Sequence, residues 1–200
     1  MKVLDVRAVL LDRDGVINEL VYFPEAGIID TPLTPRQFRL TPDAGEAIKL
    51  LNSLGLKVVV VSNQPGIAKG KMTKSNFQKI RVKMKQELKK AGAHIDAEYY
   101  CLHHPSATRK EYRNNCDCRK PKPGLLLRAA NDLGINLRES FMVGDSVVDI
   151  EAGRAVGSTT LLIGSLKCDI CRLMEEKGAR SDLVLPNLRE VAKAIEERVR

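Results

Sequence analysis

Short apolar runs rich in β-branched residues recur along the chain at residues 6–11, 56–61, 98–102, 140–143, 159–163 and 182–185, each the length of one buried strand. Between them the pattern turns helical. Thr41, Pro42 and Asp43 supply a capping residue and a first-turn proline, Ala47, Ile48, Leu51 and Leu54 follow at helical spacing, and Gly55 closes the segment. Residues 73–90 place Phe77, Ile80, Met84 and Leu88 on one face and Lys74, Lys79, Arg81, Lys83, Lys85 and Lys89 around the others, which reads as a solvated amphipathic helix. Further helices are predicted over 123–133, 147–156, 167–176 and 188–198. Strands that are apolar at consecutive positions, such as Val58, Val59, Val60 and Val61, are buried on both faces. Alternating with helices, they predict an α/β fold, a doubly wound Rossmann-like parallel sheet. Such a sheet carries its chemistry at the carboxyl ends of the strands. No repeat, low-complexity tract or linker interrupts the pattern, so a single domain over 1–200 is expected. Two irregular stretches, 19–40 and 103–123, are long for connections in a compact domain and are expected to be functional.

Composition narrows the class. The chain has 200 residues, 44% hydrophobic and 29% charged, ordinary values for a soluble globular protein, while 4% aromatics and no Trp argue against a base-stacking surface. The net charge of +8 favours anionic partners without saying which. No apolar run approaches the roughly 20 residues that span a bilayer, and the start lacks a signal-peptide core. A cytoplasmic chain with no membrane partner is expected. Five cysteines, an odd number, make a disulfide framework a poor fit and point to metal ligands or buried thiols.

Candidate chemistry sits where the strands end. The first delivers Asp12-Arg13-Asp14-Gly15; two carboxylates one residue apart face one anionic centre only if a cation neutralises them, and one can then serve as nucleophile and the other as proton donor. The second strand is followed by Ser62, Asn63 and Gln64, whose hydroxyl and amides suit phosphoryl oxygens. Arg119 and Lys120 precede a helix, and Gly144-Asp145-x-x-x-Asp149 follows the fourth strand. Taken singly, each has a bland explanation as a turn, an N-cap or a polar strand end. A calcium loop starting at Asp12 fails, because Ile17 occupies its glycine position and Phe23 its bidentate glutamate position.

Together, Asp12-x-Asp14-Gly15, Ser62, Lys120 and Gly144-Asp145-x-x-x-Asp149 resemble the ordered motifs of the haloacid dehalogenase superfamily of phosphatases. The resemblance implies a haloacid dehalogenase-like fold with Asp12 as nucleophile and Asp14 as general acid and then base. It also implies Mg2+ held by Asp12, Asp145 and the Asp14 carbonyl, and phosphoryl oxygens held by Ser62 and Lys120. Asp149 would orient Lys120 or the metal's waters, or face solvent. Positioning and charge compensation are what a transferring phosphoryl group needs.

Cys101-x-His103 and Cys116-x-Cys118, separated by residues 104–115, form two ligand pairs suited to a closed tetrahedral Zn2+ site that ties down a loop without a core of its own. This loop, about 101–118, together with Val61-Ser62-Asn63-Gln64-Pro65-Gly66-Ile67-Ala68-Lys69-Gly70-Lys71, is similar to the corresponding stretches of the heptose-1,7-bisphosphate phosphatases. It implies no large cap domain, a zinc-stabilised loop insertion, structural zinc, and substrate contacts from Ser62, Asn63, Gln64, Arg119 and Lys120. Histidinol-phosphate phosphatases share the catalytic residues but usually have a shorter zinc loop; a nucleic-acid 3′-end phosphatase is the other relative with these motifs. The expected partner is a small phosphorylated metabolite, with no nucleic acid and a monomeric enzyme. Arg109, Lys110 and Arg113 are expected to join Arg119 near the mouth and favour a bisphosphate. The chain departs from the heptose enzymes in its 20–40 segment and at Ser146, where they commonly carry Lys. Cys168-x-x-Cys171 has the spacing of a redox pair or half a second metal site, but it lies in a helical pattern with no second ligand pair nearby, and buried thiols explain it adequately.

Overall fold

Successive side chains of a strand point to opposite faces, and Ala8, Val9, Leu10 and Leu11 are all fully buried, so their strand is covered on both sides. The structure is a computed structural model that describes residues 6–164, 178 and 181–199. The strands are β1 (Ala8–Leu11), β2 (Val21–Phe23), β3 (Ile28–Asp30), β4 (Lys57–Asn63), β5 (Ala97–Cys101), β6 (Phe141–Gly144), β7 (Thr159–Ile163) and β8 (Leu183–Leu185). Six of them form a parallel sheet in the order β5-β4-β1-β6-β7-β8, with Leu11 opposite both Val60 and Val143. The helices are α1 (Ala44–Ser53), α2 (Lys74–Lys90), α3 (Gly124–Leu133), α4 (Val147–Ala155) and α5 (Leu188–Val199).

The alternation of side chains sorts the core into two layers. Val9, Leu11, Val58 and Val60 pack with Ile48 and Leu51 of α1, Ile80 and Met84 of α2, and Val191 and Ile195 of α5. Ala8, Leu10, Val59 and Val61 pack on the other side with Leu125, Leu126 and Ala129 of α3 and Ala152 of α4. This is the doubly wound arrangement, and β1 sits where the chain first winds outward through β4 and β5 and then returns to β6 on the other side. The expected helix over 167–176, with Cys168 and Cys171, lies outside the described residues. No helix among the described residues is long and apolar enough to cross a membrane.

Three local differences from the sequence reading have physical reasons. The helix expected to open at Thr41 begins at Ala44, because the Thr41 hydroxyl instead donates to the Val16 carbonyl at 2.8 Å and its N–H to Ile17. Asp43 takes the N-cap position in a left-handed conformation (φ 66°), and Arg189 of α5 pairs with it. Strand β4 runs on through Ser62 and Asn63, which pair with Tyr100 and Cys101 of β5. Within the irregular 19–40 stretch, β2 and β3 form an antiparallel hairpin with Tyr22 opposite Ile29. Its turn contains Gly27 at positive φ, a conformation glycine adopts without steric cost.

Candidate active site and metal-ligand loop

At the carboxyl end of the sheet, β1, β4 and β6 end side by side and open into a cleft of about 340 Å³. Asp12 follows β1, and its N–H is fixed on the Val143 carbonyl at 2.9 Å, so the carboxylate emerges from the paired part of the sheet. Asp145 follows β6. Its side chain lies so close to Gly15 that a Cβ on that glycine would be 2.1 Å from Asp145 Oδ2. Gly144 is equally confined, since a Cβ there would meet Asp149 at 2.2 Å.

Lys120 is buried among these carboxylates. Its Nζ donates to Asp12 Oδ1 at 2.7 Å and to the Val61 carbonyl at 2.6 Å, and pairs with Asp149 Oδ1 at 2.6 Å. Burial disfavours the ammonium, but Asp12 and Asp149 outweigh it and hold Lys120 above the usual lysine range. The other oxygen of Asp149 accepts from the N–H and hydroxyl of Ser146, at 3.2 and 2.8 Å. Thus Asp149, the residue whose role the sequence left open, faces Lys120. One lysine does not neutralise the cluster. Burial, reinforced by Asp149 and Asp14, pushes the Asp12 carboxyl up to about 6 despite Lys120. Burial with Asp12 and Asp149 nearby pushes Asp145 up to about 7. All-oxygen donors with a deficit of positive charge are a fitting cradle for Mg2+.

Asp14 differs from its neighbours. Burial would raise its carboxyl, but the Arg13 guanidinium and hydrogen bonds from Gln64 and Asn18 more than offset that and hold it below the usual range. Gln64 Nε2 donates to Asp14 Oδ2 at 2.6 Å and to the Ser62 hydroxyl at 3.0 Å. Ser62 and Gln64 are buried and are not among the residues lining the cleft. Asn63 does line it, with its side-chain amide fixed in both directions to the Lys120 backbone at 3.0 Å. Arg119 also lines the cleft.

The four sulfur and nitrogen ligands come together as their spacing predicts. Cys101, His103, Cys116 and Cys118 each offer an atom within 4.8 Å of the others, with Sγ–Sγ separations of 3.5 Å (Cys101–Cys116) and 3.1 Å (Cys116–Cys118). Vertices of a zinc tetrahedron lie roughly 3.3–3.8 Å apart, given bonds of about 2.0–2.3 Å, so the donor set and its size fit Zn2+. Burial opposes ionisation of Cys116, yet hydrogen bonds from Cys118, Cys101 and His103 bring its thiol down to about 7. His104 stands outside this group and accepts from the Ser106 N–H.

Besides Lys120, the cations at the cleft are Lys69, Lys71 and Arg119, joined by Asp30, whose carboxylate pairs with Lys71 at 2.5 Å. Arg109, Lys110 and Arg113, expected at the mouth, do not line it: Arg113 donates to the Ala107 carbonyl, and Arg109 is tied through its N–H to Ala68. The sequence reading missed Lys69 and Lys71 as site residues, although both sit just beyond the Ser62-Asn63-Gln64 strand end. It also missed Asp30 and Thr31, for which a signal existed in the β-formers of 21–23 and 28–30 flanking a Pro- and Gly-containing turn.

Comparisons with known proteins agree with the fold and with phosphatase chemistry. Residues 117–191 match the family described as "HAD-hyrolase-like". The D-glycero-beta-D-manno-heptose-1,7-bisphosphate 7-phosphatase of Yersinia pestis is 36% identical over 195 residues, covering 96% of this chain and 97% of that protein. The protein of the same name from Escherichia coli K12 is 37% identical over 194 residues, covering 96% and 95%. The crystal structure of D,D-heptose 1,7-bisphosphate phosphatase from B. bronchiseptica, complexed with magnesium and phosphate, superposes with a TM-score of 0.79 at 26% identity, covering 96% of this chain and 99% of that one.

Proposed function

Because the chain belongs to the family of the D-glycero-beta-D-manno-heptose-1,7-bisphosphate 7-phosphatases, HAD-like hydrolases, we propose that it is a Mg2+-dependent phosphoric monoester hydrolase whose substrate is that bisphosphate, losing its 7-phosphate. The observation that carries the chemistry is the meeting of Asp12, Asp14, Asp145 and Lys120 at one cleft on the ends of β1 and β6. Asp12 attacks phosphorus and forms an aspartyl-phosphate as the bond to the sugar oxygen breaks. Asp14, which Arg13, Gln64 and Asn18 keep ionised before substrate binds, takes up a proton as the dianionic phosphate ester binds beside it and gives that proton to the sugar oxygen. In the second half, Asp14 takes a proton from water as the water attacks phosphorus, the Asp12–phosphorus bond breaks, and inorganic phosphate leaves. Lys120, with its charge secured by Asp149, neutralises phosphoryl oxygens throughout, as does Arg119 at the substrate's edge. Asp12, Asp145 and the Asp14 carbonyl would hold magnesium, which when bound supplies the charge compensation that one lysine cannot. Ser62 and Gln64 would act from beneath, the serine hydroxyl toward a phosphoryl oxygen and the glutamine amide on Asp14, while Asn63 keeps the Lys120 backbone in place.

Zinc bound by Cys101, His103, Cys116 and Cys118 would be structural, since all four positions of its tetrahedron are protein atoms and none is left for substrate. Its role is to fix the stretch leading through Arg119 to Lys120. The substrate assignment draws support from Lys69, Lys71 and Arg119, cations that a second phosphate can engage through charge-assisted hydrogen bonds. The enzyme would act as a cytoplasmic monomer on a small metabolite, without nucleic acid. Comparing kcat/KM for heptose 1,7-bisphosphate, fructose 1,6-bisphosphate and histidinol phosphate tests the assignment. A preference for the heptose bisphosphate is expected. A preference for histidinol phosphate, whose amine suits Asp30 better than the cations, would overturn the substrate and leave the chemistry standing.

A further inference from the structure

Arg13 is among the largest fully buried side chains, with no exposed surface, and it lies between the two catalytic carboxylates in sequence without reaching the cleft. Burying a guanidinium is costly unless its donors are used. Here two of its three nitrogens are used and Nη1 has no partner: Nε donates to Asp14 Oδ1 at 3.1 Å, and Nη2 lies 2.8 Å from Oδ1 and 3.0 Å from Oδ2. Nη2 also donates to the Thr31 hydroxyl at 2.8 Å. Thr31 follows β3 at the end of the hairpin. Its N–H donates to Asp30 Oδ1 at 2.8 Å, and the other Asp30 oxygen pairs with Lys71 across the cleft mouth. An unbroken set of polar contacts therefore runs from Lys71 at the mouth through Asp30, Thr31 and Arg13 to Asp14.

Resting on the reading of Asp14 as the acid, we infer that Arg13 and Thr31 are positioning residues for proton transfer, with the hairpin end holding the Arg13 fork and the fork setting the plane of the Asp14 carboxyl. Each Asp14 oxygen is already gripped by Arg13 and by one amide, Asn18 on Oδ1 and Gln64 on Oδ2. The amides fix where the oxygens lie; the planar guanidinium fixes the tilt, because it meets both oxygens from one side. A displaced carboxyl fails at both its tasks, as acid toward the departing oxygen and as base toward water, but only the first depends on the leaving group. It cannot deliver its proton to the departing oxygen while the Asp12–phosphorus bond forms, and a misplacement of this kind costs rate while leaving binding alone. An ester whose leaving group is stable as an anion needs no such proton.

The test compares, for an alkyl phosphate and for 4-nitrophenyl phosphate at saturating Mg2+, KM and the single-turnover rate at which the alcohol or phenol is released, a step that ends at the aspartyl-phosphate and leaves the base step out. Thr31→Val keeps the side-chain shape and removes the acceptor. It is expected to lower the release rate for the alkyl ester roughly tenfold, the effect of one lost hydrogen bond, with KM and the aryl-ester release rate within about twofold of the original. Thr31→Ser should restore the alkyl-ester rate. Arg13→Lys should show the same leaving-group dependence more strongly; since it alters a buried side chain, the Thr31 pair decides if that variant does not fold. Equal losses on both esters, a change confined to KM, or no loss would overturn the inference. Asp14→Asn serves as the reference: if it too shows no leaving-group dependence, the acid assignment itself is wrong, whereas dependence in Asp14→Asn without it in Thr31→Val removes only the role of Thr31 and Arg13.

Discussion

The carboxylate cluster and the thiol cluster are both gatherings of groups that repel one another when ionised, yet they are held by different means. Asp12 and Asp145 leave adjacent paired strands, and the sheet beneath them, buried on both faces, fixes their separation whether or not a cation is present. Of the thiol cluster only Cys101 belongs to a strand; His103, Cys116 and Cys118 lie in a stretch whose regular structure is a single short 3-10 turn at Lys110–Tyr112 with no buried residue. The first site is thus preorganised by packing and the second is organised by what its ligands bind. The two meet at Arg119 and Lys120, which follow Cys118 directly, so a metal bound by the loop would secure one end of the rigid site's lysine.

The largest effect should come from Asp12→Asn. The amide keeps the shape and cannot attack phosphorus, so multiple turnover is abolished while the circular dichroism spectrum and the melting temperature stay near those of the original, as expected for a site the sheet holds. Turnover near the original level would remove the aspartyl-phosphate route. Asp14→Asn should lower kcat for an alkyl phosphate by about 10² to 10⁴, the usual worth of positioned proton transfer, with substrate binding retained; an unchanged rate rejects Asp14 as the acid.

The loop should respond in the opposite way. Cys116→Ser is expected to reduce zinc from about one atom per chain to well below that in elemental analysis, and to make the 104–115 stretch sensitive to trypsin. With the anchor gone, Arg119 is released from substrate, and losing one charge-assisted hydrogen bond of about 1.5–3 kcal/mol lowers kcat/KM about ten- to hundredfold. Magnesium affinity should change little. Full zinc content, or a magnesium affinity that falls as far as kcat/KM does, would mean the two regions are not separately built.

This division also explains what the sequence made legible. Strands β1, β4 and β6 and the residues at their ends could be read because a doubly buried strand leaves a continuous apolar signature and its end is a fixed place. The thiol ligands were legible from spacing, because metal geometry is local. The contacts that run across the cleft were not. Nothing in the order of residues says that Lys71 meets Asp30, that Thr31 meets Arg13, or that Gln64 turns inward to Asp14 instead of outward to substrate. Those depend on how the hairpin folds back over the strand ends, and a short two-stranded hairpin has a weak sequence signal. The same reason misplaced Arg109, Lys110 and Arg113, whose charge is plain in sequence but whose direction depends on the packing of the loop against residues around Ala68.

The smallest effect separates the clusters by pH. In the metal-free protein Asp12 is pushed up to about 6 and Asp145 to about 7, from an ordinary value of 3.8. Between roughly pH 4 and 7 the folded chain therefore holds protons that the unfolded chain has released, and its stability falls as pH rises through that window. Magnesium takes the place of those protons, so its stabilisation should be slight at pH 5 and grow toward pH 7.5. At a hundred times its dissociation constant a ligand contributes about 2.7 kcal/mol, which for a chain of this size is a rise of roughly 5–10 °C in melting temperature. Melting curves with and without Mg2+ at the two pH values measure the difference. Asp145→Asn should remove most of the gain at pH 7.5 and, having no proton to hold, should flatten the pH dependence of the metal-free protein. A magnesium gain equal at pH 5 and 7.5 would show that the carboxylates are already ionised in the empty site, and that the sheet holds them apart better than their burial suggests.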